Sequence, residues 1–138
     1  MASPLRIGLA GLGTVGATVA QHLIAGAVEG VCVSVISARD ATKDRGFDTR
    51  SMRFVADPLE MATAEDVDVV VELIGGQDGP AYELVQASLA AGKPVITANK
   101  AMLAAHAEAL SELSVNRRGT WVPLAYEAAV AGGIPVIK

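Results

Sequence analysis

The tightest constraint on the fold lies between Leu5 and Gly16. Leu5-Arg6-Ile7-Gly8-Leu9-Ala10 reads as a buried strand, and Gly11-Leu12-Gly13-Thr14-Val15-Gly16 follows at once with the spacing G-x-G-x-x-G, opening a segment of helical period. A strand that passes so abruptly into a helix sets the helix start at the strand's carboxyl end. Gly11 then allows the tight turn, Gly13 lets backbone come close to a pyrophosphate, and Gly16 lets the helix pack on the strand. The free N–H groups of the first helical turn face the phosphates. In a chain with 14 glycines a bare glycine triplet would say little; its place between strand and helix makes it a dinucleotide-binding signal.

The remainder repeats this alternation. Apolar runs of strand length are Val31 to Ser37, Val67 to Leu73, Pro94 to Thr97 and Trp121 to Tyr126, with a short strand expected at Met52 to Val55 before Asp57-Pro58 turns the chain. Helical spacing marks Val15 to Ala25, stopped by Gly26, then Tyr82 to Ala91 before Gly92, and Ala101 to Leu113. Ala38 to Arg53 is strongly charged and reads as an exposed loop. Strands alternating with helices imply an α/β fold with a doubly wound, mainly parallel sheet of the Rossmann type, and the continuous Val69-Val70-Val71 suits a strand covered on both faces.

Composition removes other classes. With 138 residues, 51% hydrophobic and 19% charged, the chain has one domain's length and ample material for a core. No apolar run approaches the roughly 18 residues of a membrane span, and no signal-peptide pattern opens the chain, so a cytoplasmic, soluble protein without a membrane partner is expected. Lys+Arg 11 against Asp+Glu 15, with one Trp, two Tyr and two Phe, argues against a nucleic-acid surface and for a small-molecule ligand. Cys32, alone in a Val-rich run, reads as a small buried hydrophobe. His22 and His106 lack Cys or His partners at ligand spacing and read as surface or packing residues.

Three further segments fall where open α/β sheets bind ligands, beyond strand carboxyl ends. Ser37-Ala38-Arg39-Asp40 ends the second strand, with Lys43 and Arg45 close behind. A guanidinium there can pair with a 2′-phosphate, whereas an acid would accept from a ribose 2′-hydroxyl; Arg39 at the strand tip favours NADP, and Asp40 leaves NAD open. Glu72-Leu73-Ile74-Gly75-Gly76 lets backbone, at Ile74 and Gly75, approach a nicotinamide and its ribose. Thr97-Ala98-Asn99-Lys100 places polar Thr97 and Asn99 before a helix that starts with a lysine. A cation opposes the macrodipole at that end, so an anionic or electron-rich ligand explains Lys100 better than the helix does. The final stretch, Tyr126 to Lys138, is rich in small residues, and its glycines and Pro135 read first as a tight strand-to-helix turn, although inward carbonyls on such a path could hold a hard cation.

With these segments in hand the sequence resembles the amino-terminal, nucleotide-binding part of the homoserine dehydrogenase family. The carriers are the glycine motif, Val71 to Gly76, Lys93-Pro94-Val95-Ile96-Thr97-Ala98-Asn99-Lys100-Ala101, and Tyr126 to Pro135, four motifs in order over nearly the whole chain. The resemblance implies reversible hydride transfer between NAD(P)H and aspartate 4-semialdehyde to give homoserine, in threonine, methionine and isoleucine biosynthesis. It implies Lys100 as the lysine beside nicotinamide and substrate, and a monovalent cation, sodium, at Glu127, Val130, Gly132 and Ile134. Family members continue into a substrate and dimerisation domain, so residues 1–138 are expected to be the cofactor domain of a larger homo-oligomeric parent, inactive alone. The competing readings are the Rossmann domain of another NAD(P)-dependent dehydrogenase and a stand-alone nucleotide-sensing module.

Overall fold

Continuous β-branched runs and short Ala-rich helices do assemble as a doubly wound unit. The computed structural model describes residues 2–115, 119–126 and 129. Its strands are β1 (Leu5–Ala10), β2 (Val31–Ser37), β3 (Arg53–Val55), β4 (Val69–Glu72), β5 (Val95–Thr97) and β6 (Leu124–Ala125), and its helices α1 (Thr14–Ile24), α2 (Pro80–Ala90) and α3 (Lys100–Leu113). The six strands form one sheet in the order β3-β2-β1-β4-β5-β6, with every strand pair parallel. All strand carboxyl ends therefore lie on one side, and the strand order reverses between β1 and β4, the switch point where ligands of such sheets bind.

Each face of the sheet has its own core. On one, α2, α3 and a 3-10 helix (Pro58–Ala62) bring Leu84, Leu89, Met102, Leu110 and Met61 onto Ala10, Val35, Val70 and Val95. On the other, α1 packs Ala20 against Ile7, Leu9, Val33 and Val71. This second cover does not extend over β5, where Ile96 is 44% exposed.

Several expected boundaries shift for local reasons. β4 starts at Val69 rather than Val67, because the Val67 N–H turns back to the Ala64 carbonyl. The last strand shrinks from Trp121 to Tyr126 to Leu124–Ala125: Pro123 has no N–H to give a ladder, and Trp121 instead bridges antiparallel to Val115. β3 begins at Arg53, not Met52. α2 starts two residues early, on Pro80, whose fixed φ suits a first helical position. The turn at Asp57-Pro58 continues as the 3-10 helix, capped by the Asp57 carboxylate on the Leu59 N–H at 2.9 Å. The loop after β2 is not wholly exposed, since Phe47 and Met52 pack against the α1-side core. Cys32 is half-buried rather than buried. No helix among the described residues is long and apolar enough to cross a membrane.

Candidate functional site

Three strand ends are tied together at the switch point. The Gly11 N–H donates to the Ser37 carbonyl at 2.9 Å, joining the glycine loop to the end of β2, and the Leu73 N–H donates to the Ala10 carbonyl at 2.8 Å, joining the end of β4 to β1. Gly11 has φ +95°, and a Cβ there would lie 2.6 Å from the Leu73 carbonyl oxygen. A Cβ on Gly16 would overlap the Gly11 carbonyl oxygen. These two glycines shape the loop against the protein itself. Gly13 differs: its φ is −73° and a Cβ on it would meet nothing within 4 Å. No described residue fills the space beyond Gly13.

That opening lies at the start of α1, where Gly13 is the N-cap, no side chain caps the helix and the first turn holds no acidic residue. Its N–H groups are thus left for an external acceptor, and Gly13, Thr14 and Val15 are all exposed. Leu12 turns inward and is 6% exposed. The loop, the open side of Gly13 and the uncapped dipole fit a pyrophosphate.

At the end of β2, Arg39 is exposed. Asp40 is engaged by its own loop: Oδ1 accepts from the Thr42 N–H at 2.9 Å and the Thr42 hydroxyl at 2.7 Å. These bonds lower its carboxyl pKa below the ordinary value. Arg45, which sequence reading treated only as a neighbouring charge, holds the loop shut. Its guanidinium donates to the carbonyls of Leu12 at 3.3 Å, Lys43 at 2.9 Å and Asp40 at 2.6 Å. A cleft of about 390 Å³ beside it is lined by residues including Leu12, Ile36, Phe47 and Met52. Gly13, Gly75 and Lys100 do not line it, so it flanks the switch-point crevice without forming it.

Beyond β4, Gly75 and Gly76 have φ +85° and +87°, and Ile74 and Gly75 are exposed. Glu72, assigned no role from sequence, is buried beneath them; its only sequence signal is an acid closing a Val-Val-Val run before two glycines. Thr97 and Asn99, expected beside the cofactor, are buried, and their side chains bond within the protein, to Glu72 and to the Gly76 carbonyl and Met102 N–H. Lys100 is the first residue of α3 and exposed, and its side chain makes no hydrogen bond or ion pair with any described residue. Glu127, Val130, Gly132 and Ile134, the expected cation ligands, lie outside the described residues.

Comparison with known proteins decides the family. Residues 11–122 match the family model for the NAD-binding domain of homoserine dehydrogenase. The chain belongs to that family. A homoserine dehydrogenase from Pseudomonas aeruginosa is 42% identical over 142 aligned positions, which cover 98% of this chain and 31% of the relative. One from Helicobacter pylori is 40% identical, over 100% of this chain and 32% of the relative. Among solved structures, the homoserine dehydrogenase of Thiobacillus denitrificans superposes with a TM-score of 0.82 at 34% identity, covering 97% of this chain and 32% of that one. That of S. aureus at pH 8.5 gives 0.81 at 31% identity. The chain thus spans about a third of the homoserine dehydrogenases it matches and corresponds to their NAD-binding domain.

Proposed function

We propose that this domain binds NADP(H) in preference to NAD(H) and serves an enzyme that interconverts aspartate 4-semialdehyde and homoserine. The observation that carries the nucleotide reading is the contrast within the glycine loop, where Gly11 and Gly16 are required by neighbouring backbone and Gly13 faces open space at an uncapped helix start. Backbone N–H groups at Gly13, Thr14 and Val15 would hold the pyrophosphate, and the Ile74–Gly75 backbone would border the nicotinamide. When bound, the nicotinamide supplies or accepts the hydride. Lys100, a cation at a helix start that its own macrodipole disfavours, stabilises the negative charge that grows on the substrate carbonyl oxygen. Sodium at Glu127, Val130, Gly132 and Ile134 belongs to the same reading and rests on the family resemblance.

Support for NADP comes from the end of β2. Arg39 is exposed and unpaired among the described residues, while the Asp40 carboxylate is turned into bonds with Thr42. A free guanidinium suits a 2′-phosphate. The same reading places substrate binding, proton transfer and subunit contacts in the longer protein, so these 138 residues alone should bind nucleotide without turnover. Titrating the chain with NADPH and NADH tests cofactor choice. Arg39→Ala should weaken NADPH binding about tenfold, the loss of one charge-assisted contact, and leave NADH unchanged; equal loss for both would refute the preference.

A further inference from the structure

We infer that Glu72 is a positioning residue of this site: its buried carboxylate holds the Ile74–Gly75–Gly76 loop in the shape that receives the nicotinamide half of the cofactor. The inference rests on the nucleotide reading above and adds to it the group that sets the loop's geometry.

Glu72 closes β4, in register with Ala10 of β1 and Thr97 of β5, and is 0% exposed. Its Oε1 accepts from the Ile74 N–H at 2.7 Å and the Gly75 N–H at 3.1 Å, and its Oε2 accepts from the Thr97 hydroxyl at 2.6 Å. Thr97 Oγ1 in turn accepts from the Asn99 N–H at 3.1 Å. Asn99 grips the other end of the loop, its Nδ2 donating to the Gly76 carbonyl at 2.7 Å while its Oδ1 caps α3 on the Met102 N–H at 3.1 Å. The loop is held from both ends by side chains of β4, β5 and the start of α3.

A carboxylate is costly to bury unless its acceptor sites are filled, and it brings no packing advantage to a strand otherwise made of valines. What it supplies is acceptors. Two of its three bonds go to the backbone of a loop whose glycines adopt positive φ, a conformation with many near neighbours for a residue lacking Cβ and with a large entropy cost on ordering. Without the carboxylate the loop would have to be ordered by the ligand, at the expense of affinity. The effect should be confined to one half of the cofactor. The loop touches the glycine turn through Leu73 and precedes α2, whereas Arg39 and the adenosine side lie across β1 at the end of β2.

The test compares NADPH with 2′-phosphoadenosine 5′-diphosphate, which carries the adenosine half and pyrophosphate but neither the nicotinamide nor its ribose, each titrated into the 138-residue chain. Glu72→Met and Thr97→Val should weaken NADPH about tenfold or more, the scale of one or two lost hydrogen bonds plus loop ordering. Binding of 2′-phosphoadenosine 5′-diphosphate should stay within about twofold. Glu72→Gln, whose amide oxygen can still accept both backbone N–H groups, should restore most of the NADPH affinity. Thr97→Val carries the test if Glu72→Met fails to fold, as judged by helical circular dichroism. A purely structural Glu72 would weaken both ligands equally, and that outcome, or no change in either, overturns the inference. Failure of the unsubstituted chain to bind either ligand would overturn the nucleotide reading first, and this inference with it.

Discussion

The two ends of the sheet are built on opposite terms. At the amino end three cations are tied into the protein. Arg6 donates to both carboxylate oxygens of Asp68, at 3.0 and 2.8 Å, Arg53 pairs in the same way with Asp66 at 2.9 and 2.7 Å, and the Lys93 ammonium bonds the carbonyls of Met61, Ala64 and Val67. At the carboxyl end α1 begins without a cap, Gly13 faces open space, and Arg39 and Lys100 have no partner among the described residues. Polar groups are satisfied within the protein at one end and left over at the other. The carboxyl end is not uniformly loose, because Glu72, Thr97 and Asn99 form a saturated network just under its exposed loops.

Substitutions can break that contrast, beginning with the glycine loop. Gly16→Ala should cost about 3 kcal/mol of stability because its methyl has nowhere to go. Gly13→Ala, at an ordinary φ and in free space, should instead change stability by less than about 0.5 kcal/mol, the entropy gained from the unfolded state offsetting the poorer N-cap, while weakening NADPH about tenfold or more. Urea unfolding alongside nucleotide titration separates the two, and parallel behaviour of the variants would erase the distinction between shaping and binding glycines. At the amino end, Lys93→Met strands three carbonyls and should lower stability by about 1–3 kcal/mol with NADPH affinity unchanged. A loss of affinity would mean that the ends are coupled.

The smallest effect concerns acid. Hydrogen bonds from the Arg6 guanidinium and backbone hold the Asp68 carboxyl down to about 2. Because this lies below the unfolded value of about 3.9, the stabilisation is complete above about pH 4 and drains away as pH falls toward 2. Asp68→Asn should flatten the fall in urea midpoint between about pH 5 and 2 without abolishing it, since Asp66 and Asp48 are also lowered by arginine partners. An unchanged slope would show that the pair contributes nothing.

Much of this is legible in the sequence alone. The bounds of β1 and β2 follow directly from their apolar runs, and the three helices from 3.6-residue periodicity ended by Gly26 and Gly92. The glycine motif placed the crevice, because its spacing is a local property of one turn. β6 was overestimated because hydrophobicity does not report the missing N–H of Pro123. Phe47 falls in a segment that reads as a solvated loop because the charges around it mask an apolar anchor, which only the folded chain brings, with Met52, onto the α1-side core.

Thr97, Asn99 and Glu72 show where sequence stops. Thr97 and Asn99 could be marked as polar residues at a strand end, yet nothing in their spacing says that Thr97 turns toward a carboxylate 25 residues earlier in the chain, or Asn99 toward the Gly76 carbonyl. Sequence by itself determined the α/β alternation, the dinucleotide loop and the family, because propensity, periodicity and the glycine spacing are encoded within single segments. Tertiary structure decided which glycines answer to protein and which to open space, that Asp40 is occupied while Arg39 meets no partner among the described residues, and that Glu72 braces the loop above it. Those facts depend on parallel register between β1, β4 and β5, which brings distant residues within hydrogen-bond reach only once the sheet has formed.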